Sequence, residues 1–262
     1  MQLIDIGINL THRSFEADLE QVLQDAFAAG VTRLILTGTS LRGSQEAHRL
    51  AQRYPQHLFS TAGVHPHDAK SCGPQTIPAL KKLLQHPSVC AVGECGLDFN
   101  RNFSPPDTQE EWFQAQIELA IEIQKPLFLH ERDAHPRFLQ ILKSYSDLPP
   151  SVVHCFTGEA NALKDYLDLG LWIGITGWIC DERRGRHLRQ LVKRIPADRL
   201  MIETDAPFLL PRDLPQPPKD PRRNEPAYLP HILRTVAACR NETPDTTAQI
   251  TTQNAQQFFR LP

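Results

Sequence analysis

The strongest constraint on this chain is an alternation. Short apolar runs rich in β-branched and aromatic residues alternate with longer amphipathic stretches along nearly the whole length. The strand candidates are LIDIGI from Leu3, RLILTG from Arg33, LFSTAGV from Leu58, VCAVGE from Val89, PLFLH from Pro126, SVVHC from Ser151, LWIGITG from Leu171 and LMIET from Leu200. Helical periodicity fills the intervals, over residues 15–29, 41–53, 75–85, 107–123, 136–144, 159–168 and 184–193, with a closing pair over 227–238 and 247–258. Gly30 and Gly170 stand where helix C-caps are expected.

Eight strands in 262 residues make a repeat of about 33 residues, the size of one strand and its return helix. A single-domain α/β fold of the (β/α)8 TIM-barrel type over residues 1–262 fits that count. The alternative is an open doubly wound sheet, but no G-x-G-x-x-G turn follows the first strand. The proline-rich stretch from Pro207 to Pro226 reads as a long loop after the eighth strand, because a helical pattern resumes beyond it.

In a barrel the C-terminal ends of the strands ring one mouth, so the polar residues that close each apolar run are the informative ones. Strand three leads to His65, strand four to Glu94, strand five to His130, strand six to His154, and strand eight to Glu203 and Asp205. Carboxylates and imidazoles gathered in one small volume are costly unless something cationic neutralises them, and a divalent metal does so while using their lone pairs. Cys95 and Cys155 follow ligand candidates by one residue, where strand alternation turns them away.

Composition bounds the partners. With 28 Lys and Arg against 30 Asp and Glu the net charge is -2, so no broad basic field holds nucleic acid or an anionic membrane, and phosphate binding has to be local or metal-borne. Six cysteines without a CxxC pair point to reduced thiols. The opening MQLIDIGINL has no leader features, and no apolar run reaches the ~18 residues that span a bilayer. A cytoplasmic protein with no membrane partner is expected, and nothing such as a heptad run demands assembly, so a monomer is expected too.

Several blocks resemble the TatD family of metal-dependent deoxyribonucleases: DIGINL at 5–10, TAGVHPHD at 61–68, VGECGLDFNRNFS at 92–104, FLHERDAH at 128–135, VVHCFTG at 152–158, GITGWICDERRG at 174–185, IETDAPFLLPRD at 202–213 and RRNEPAYLPHI at 222–232. The resemblance covers essentially the whole chain and implies a TIM-type barrel that hydrolyses phosphodiester bonds with Mg2+, as a 3′ to 5′ exonuclease on DNA and RNA ends. It places the bridging glutamate on Glu94, two metal-binding histidines on His130 and His154, the strand-eight aspartate on Asp205, and a histidine near phosphate and metal on His65. One departure stands out. Most of the superfamily opens with a His-x-His pair, where this chain has Gly7-Ile8-Asn9, as the TatD proteins proper do. The expectation is one metal held firmly by Glu94, His130 and His154, and a second held weakly through Glu94, Asp205 and the substrate phosphate.

In that mechanism a metal-activated water attacks phosphorus and Asp205 accepts its proton. Carboxylate-rich ligation suits Mg2+ or Mn2+, and two imidazoles leave Zn2+ open in vitro. Phosphate contacts are expected from His65 and from basic loops: Arg101 after strand four, Arg183, Arg184 and Arg186 after strand seven, and Arg212, Lys219, Arg222 and Arg223 after strand eight. Phe103, Trp178 and Phe208 in the same loops are candidates for base stacking. Two other functions remain open on sequence: a metal-dependent hydrolase of a small amide, ester or sugar phosphate, and a non-catalytic nucleic-acid-binding barrel.

Overall fold

A computed structural model describes residues 2–216, 218 and 220–262. Eight strands run in the order β1(Leu3–Ile8), β2(Val31–Leu36), β3(Leu58–Ala62), β4(Val89–Asp98), β5(Leu127–Arg132), β6(Ser151–Val153), β7(Trp172–Ile175) and β8(Leu200–Ile202), neighbouring one another in a single sheet in chain order. The helices are α1(Leu19–Ala28), α2(Leu41–Arg53), α3(Thr76–Leu84), α4(Pro106–Ile123), α5(His135–Lys143), α6(Ala160–Asp168), α7(Leu188–Leu191), α8(Leu229–Arg240) and α9(Pro244–Phe259). This is the (β/α)8 barrel expected from the repeat. The strands read as unbroken apolar runs because both faces are covered: every residue of β1, β3 and β4 is buried.

Contacts divide the chain into two compact units. The first comprises the chain to Ile35, Cys155–Leu163 and Ile173–Pro262. Here the end of β8 returns to β1: the Asp205 N–H donates to Gly7 O (2.9 Å) and the Asn9 N–H to Ala206 O (2.8 Å). Gly30, at φ 90°, ends α1 as expected. α9 starts on Pro244 with the Thr243 hydroxyl accepting the Thr246 N–H (3.1 Å).

The second unit comprises Leu36–His154 and Lys164–Trp172. Its core includes Phe113 of α4 stacked on Phe138 of α5, with ring centroids 5.2 Å apart. Two buried glutamines on α4 staple strand ends. Gln116 accepts the Val64 N–H (2.7 Å) and donates to Val64 O (3.1 Å), while Gln109 accepts the Asp98 N–H (2.8 Å) and donates to Asp98 O (3.1 Å) and Ser104 O (2.8 Å). Each satisfies backbone groups where a strand has run out of strand partners.

Two helical expectations are corrected. Over 15–29 a short turn at Arg13–Phe15 precedes α1, because Asp18 leaves helical geometry (φ −142°, ψ 23°). Over 184–193 only Leu188–Leu191 is α-helical. The Asp181 carboxylate takes the N–H groups of Arg183 (2.9 Å) and Arg184 (3.3 Å), and Gly185 N–H reaches Asp181 O (2.8 Å), so the chain turns before it can wind. No disulfide joins the six cysteines, and among the described residues no helix is long and apolar enough to cross a membrane.

Arg223 was expected on a phosphate patch and is instead a clamp within the first unit. Its guanidinium grips both Asp18 oxygens (2.9 and 2.7 Å), Glu225 (2.7 Å) and Ser14 O (2.6 Å). Because Glu225 is buried, Arg223→Ala strands a charge and is expected to cost on the order of 2 kcal/mol, after allowance for the more exposed Asp18. Thermal melting checks this: a fall of about 5 °C is expected, with little change in the salt dependence of substrate binding.

Candidate active site

β4 carries the centre. It is the longest strand, and its pairing with β5 slips between Gly93 and Cys95: Gly93 faces Phe128, Cys95 faces Leu129, and Glu94 is the extra residue. Such a bulge re-aims one side chain without ending the strand. Glycine permits it. Gly96 adopts φ 144°, and a Cβ there would lie 1.9 Å from His130 O, while a Cβ on Gly63 would lie 2.5 Å from Gly93 C. Strand four therefore continues past Glu94 to Asp98, and strand five past His130 to Arg132, both further than their apolar runs indicate.

Three imidazoles converge on one carboxylate oxygen. Glu94 Oε1 lies 2.7 Å from His154 Nε2, 2.9 Å from His130 Nδ1 and 3.4 Å from His65 Nε2. Burial pushes the Glu94 carboxyl up, but His154, His65 and the hydrogen bonds from His130 and His154 outweigh it and hold the group well below the usual carboxylate range. One oxygen cannot satisfy three such groups as well as a cation among them can. A further orphan lies alongside: His130 Nε2 is buried without a hydrogen-bond partner, 3.6 Å from Asp98 Oδ2. The donor set fits a divalent metal.

The three histidines are not equivalent. His65 caps the turn Pro66–Ser71, its Nδ1 accepting the His67 N–H at 3.0 Å. A neutral ring that accepts there carries its proton on Nε2, the atom facing Glu94. Burial lowers the His65 pKa to about 3, so the ring is neutral at physiological pH. His65 thus turns a hydrogen-bond donor into the site, where one atom each from His65, Glu94 and His130 lies within 4.8 Å of the other two, a group that could hold a metal ion, with His154 on the same Glu94 oxygen.

Asp98, which closes β4, adds a carboxylate that the apolar strand runs do not point to. It is almost fully buried and takes His67 Nε2 at 2.6 Å as well as the N–H groups of Asn100 (3.0 Å) and Arg101 (2.9 Å). Burial opposes ionisation, yet the His130 ring close by and the hydrogen bonds from the Arg101 N–H and His67 keep the Asp98 carboxyl far below its ordinary range. A carboxylate behind a ligating imidazole orients the ring and raises its basicity. The HPHD and GLD motifs held the signal, since a second imidazole and a second carboxylate follow the ligand candidates by two and four residues.

The first unit holds Asp205. Its backbone is left-handed (φ 54°), and its Oδ1 accepts Asn9 Nδ2 at 3.0 Å. Asn9 therefore fixes the strand-eight aspartate. Glu203 is fully buried and accepts the Cys155 N–H, a structural placement. Asp5 lies beneath, accepting the N–H groups of Thr204 (2.9 Å) and Gly7 (3.3 Å) and the Thr204 hydroxyl. Burial pushes the Asp5 carboxyl up to about 8, above its unfolded value of 3.8. The folded state therefore holds the extra proton, and stability is expected to fall as pH rises from about 4 to about 8. Asp5→Asn keeps both N–H bonds on Oδ1 and is expected to flatten that fall; urea midpoints across this window measure it.

The basic residues are arranged loosely. Arg101 and Arg222 are exposed, with Arg222 3.9 Å from Asp220. Arg183 and Arg184 both lean on Asp181 (3.6 and 3.1 Å), and the Arg184 guanidinium lies 4.5 Å over the Trp178 ring. Arg186 and Arg212 are exposed, and Lys219 falls outside the described residues. Phe103 and Phe208 are the exposed large apolar side chains among the described residues, at 55% and 51% exposure.

A (β/α)8 barrel with a buried carboxylate gathered among imidazoles at its strand ends is the build of a metal-dependent hydrolase. Comparison supplies the family: the TatD related DNase profile matches residues 4–260, and the chain belongs to that family. A Salmonella typhimurium protein named 3′-5′ ssDNA/RNA exonuclease TatD is 54% identical over 260 residues, covering 99% of each chain. A protein of the same name from Citrobacter rodentium is 55% identical over 260 residues, covering 99% of this chain and 98% of its own. Among solved structures, a TatD homologue from Escherichia coli K12 superposes with a TM-score of 0.89 at 29% identity, covering 99% of this chain and 98% of its own.

Proposed function

We propose that this chain is a metal-dependent 3′–5′ exonuclease that hydrolyses phosphodiester bonds at the ends of single-stranded DNA or RNA, with Mg2+ as its working ion. The observation that carries the reading is the buried Glu94 oxygen shared by His65, His130 and His154. Full-length relatives of that activity support it.

Glu94, His130 and His154 would hold the ion, which when bound would supply charge neutralisation on the phosphate and lower the pKa of water. Mn2+ fits the same donors, and the imidazoles admit Zn2+ in vitro. His65 presents its Nε2–H to a phosphate oxygen. Asp205, oriented by Asn9, accepts the proton of the attacking water. Arg101, Arg183, Arg184 and Arg222 meet the substrate backbone, and Phe103 and Phe208 offer faces for the bases at a single-stranded end. The whole chain acts as one catalytic domain, as a monomer in the cytosol.

The test uses single-stranded DNA labelled at its 5′ end, with a free 3′ end or with the 3′ end blocked by phosphorothioate linkages. In Mg2+ the free substrate shortens to a ladder, EDTA abolishes it, and the block arrests it. Intact substrate in Mg2+ overturns nuclease action and leaves the small-substrate hydrolase; equal cleavage of both substrates overturns the exonuclease polarity.

A further inference from the structure

A second group of metal-binding side chains lies in the first unit, apart from Glu94 and its histidines. Cys180 closes the turn Gly177–Cys180 after β7, Asp213 lies in the segment after β8, and His231 sits in the first turn of α8. One ligand atom from each, Sγ, a carboxylate oxygen and a ring nitrogen, lies within 4.8 Å of the other two. His231 Nε2 is 2.6 Å from Asp213 Oδ1. Arg189 Nη2 approaches the other oxygen, Oδ2, at 3.4 Å, so Oδ1 stays turned to the histidine. The Thr235 hydroxyl, 3.5 Å from Cys180 Sγ, completes the surroundings.

We propose that Cys180, Asp213 and His231 form a Zn2+ site, distinct in place and in ligand chemistry from the centre at Glu94. Thiolate with imidazole selects a borderline-soft ion, and the thiolate is the donor that turns Mg2+ away. Three protein ligands leave a fourth position for water. Tetrahedral ligation at about 2.0 Å sets imidazole nitrogen and carboxylate oxygen about 3.3 Å apart, so His231 and Asp213 separate by well under 1 Å to admit the ion. Cys180 is fully buried, but the His231 and Asp213 side chains are 15% and 32% exposed, which gives the ion its way in. On coordination the Cys180 thiol proton passes to water, so the new thiolate joins the Asp213 carboxylate against the two charges of the ion. The ion would tie the segments after β7 and β8, which carry Arg183, Arg184 and Arg212, to helix α8.

The experiment titrates Co2+ into the chelator-stripped full-length protein and follows the near-ultraviolet absorption that only thiolate–Co2+ bonds give. Co2+ is expected to produce the band, Zn2+ to bleach it and Mg2+ to leave it. Cys180→Ser should remove it. His231→Gln keeps the thiol and should weaken Co2+ binding at this site by at least about tenfold, as loss of a direct ligand costs no less than loss of an outer-shell partner. Glu94→Gln should leave the band in place. Absence of the band in the wild type, its survival in Cys180→Ser, or unchanged affinity in His231→Gln overturns the site.

Discussion

Glu94→Gln is expected to lower phosphodiester hydrolysis by about 10³-fold or more while leaving the chain folded, the several kcal/mol of charge stabilisation that a bound ion supplies being lost. The substitution preserves shape in the bulge of β4. It removes the negative charge that gathers His65, His130 and His154, and it turns an acceptor oxygen into an N–H2 group facing imidazoles. The proposed ion would lose its anionic ligand. Folding does not suffer in the same way, because a buried amide is cheaper than a buried carboxylate. Initial rates across a Mg2+ titration, beside melting curves of both proteins, separate the effects: the rate collapses and the melting temperature holds. A wild-type rate in the variant would remove Glu94 from the chemistry.

Gly96→Ala should be among the most destabilising single-methyl additions in the second unit. At φ 144° a side chain is strained whatever the space, and there is no space, since the new Cβ would lie 1.9 Å from His130 O. Relief requires β4 and β5 to move apart where Gly96 pairs with His130, which also moves the His130 ring away from Glu94. The combined strain and overpacking are worth about 3 kcal/mol or more, a drop of roughly 6–12 °C in melting temperature. Gly73→Ala is the control, with nothing within 4 Å of its Cβ and no left-handed backbone, and it should stay within about 0.5 kcal/mol of wild type.

The barrel was legible because a parallel sheet buries both faces of each strand, so apolar runs such as LIDIGI announce themselves and their chain order gives the sheet order. The ligand candidates were legible for a related reason: His130 and His154 interrupt or follow apolar runs where nothing but function calls for an imidazole. Other features depend on contacts that periodicity does not encode. Glu94 reads as the last residue of its strand, yet it occupies a bulge with four strand residues still to come. Asp98 looks like a turn aspartate until His67 and His130 are seen against it. Gln109 and Gln116 lie on one face of an amphipathic helix, and only the burial of their amides shows that they hold strand ends. Arg223 shared the basic loops' composition, and its true partners, Asp18 and Glu225, lie 205 and two residues away along the chain. The Gly7-Ile8-Asn9 segment of strand one proved informative too, since Asn9 Nδ2 donates to Asp205.

The claim on which the rest depends is that the Glu94 carboxylate with His130 and His154 is a metal centre while His65 stands beside it as a donor. Anomalous scattering from crystals of the protein soaked in Mn2+ tests it most directly. A peak bonded to Glu94, His130 and His154 is expected, with His65 Nδ1 still accepting the His67 N–H. No peak at Glu94, or a peak ligated by His65 with that hydrogen bond broken, would contradict it.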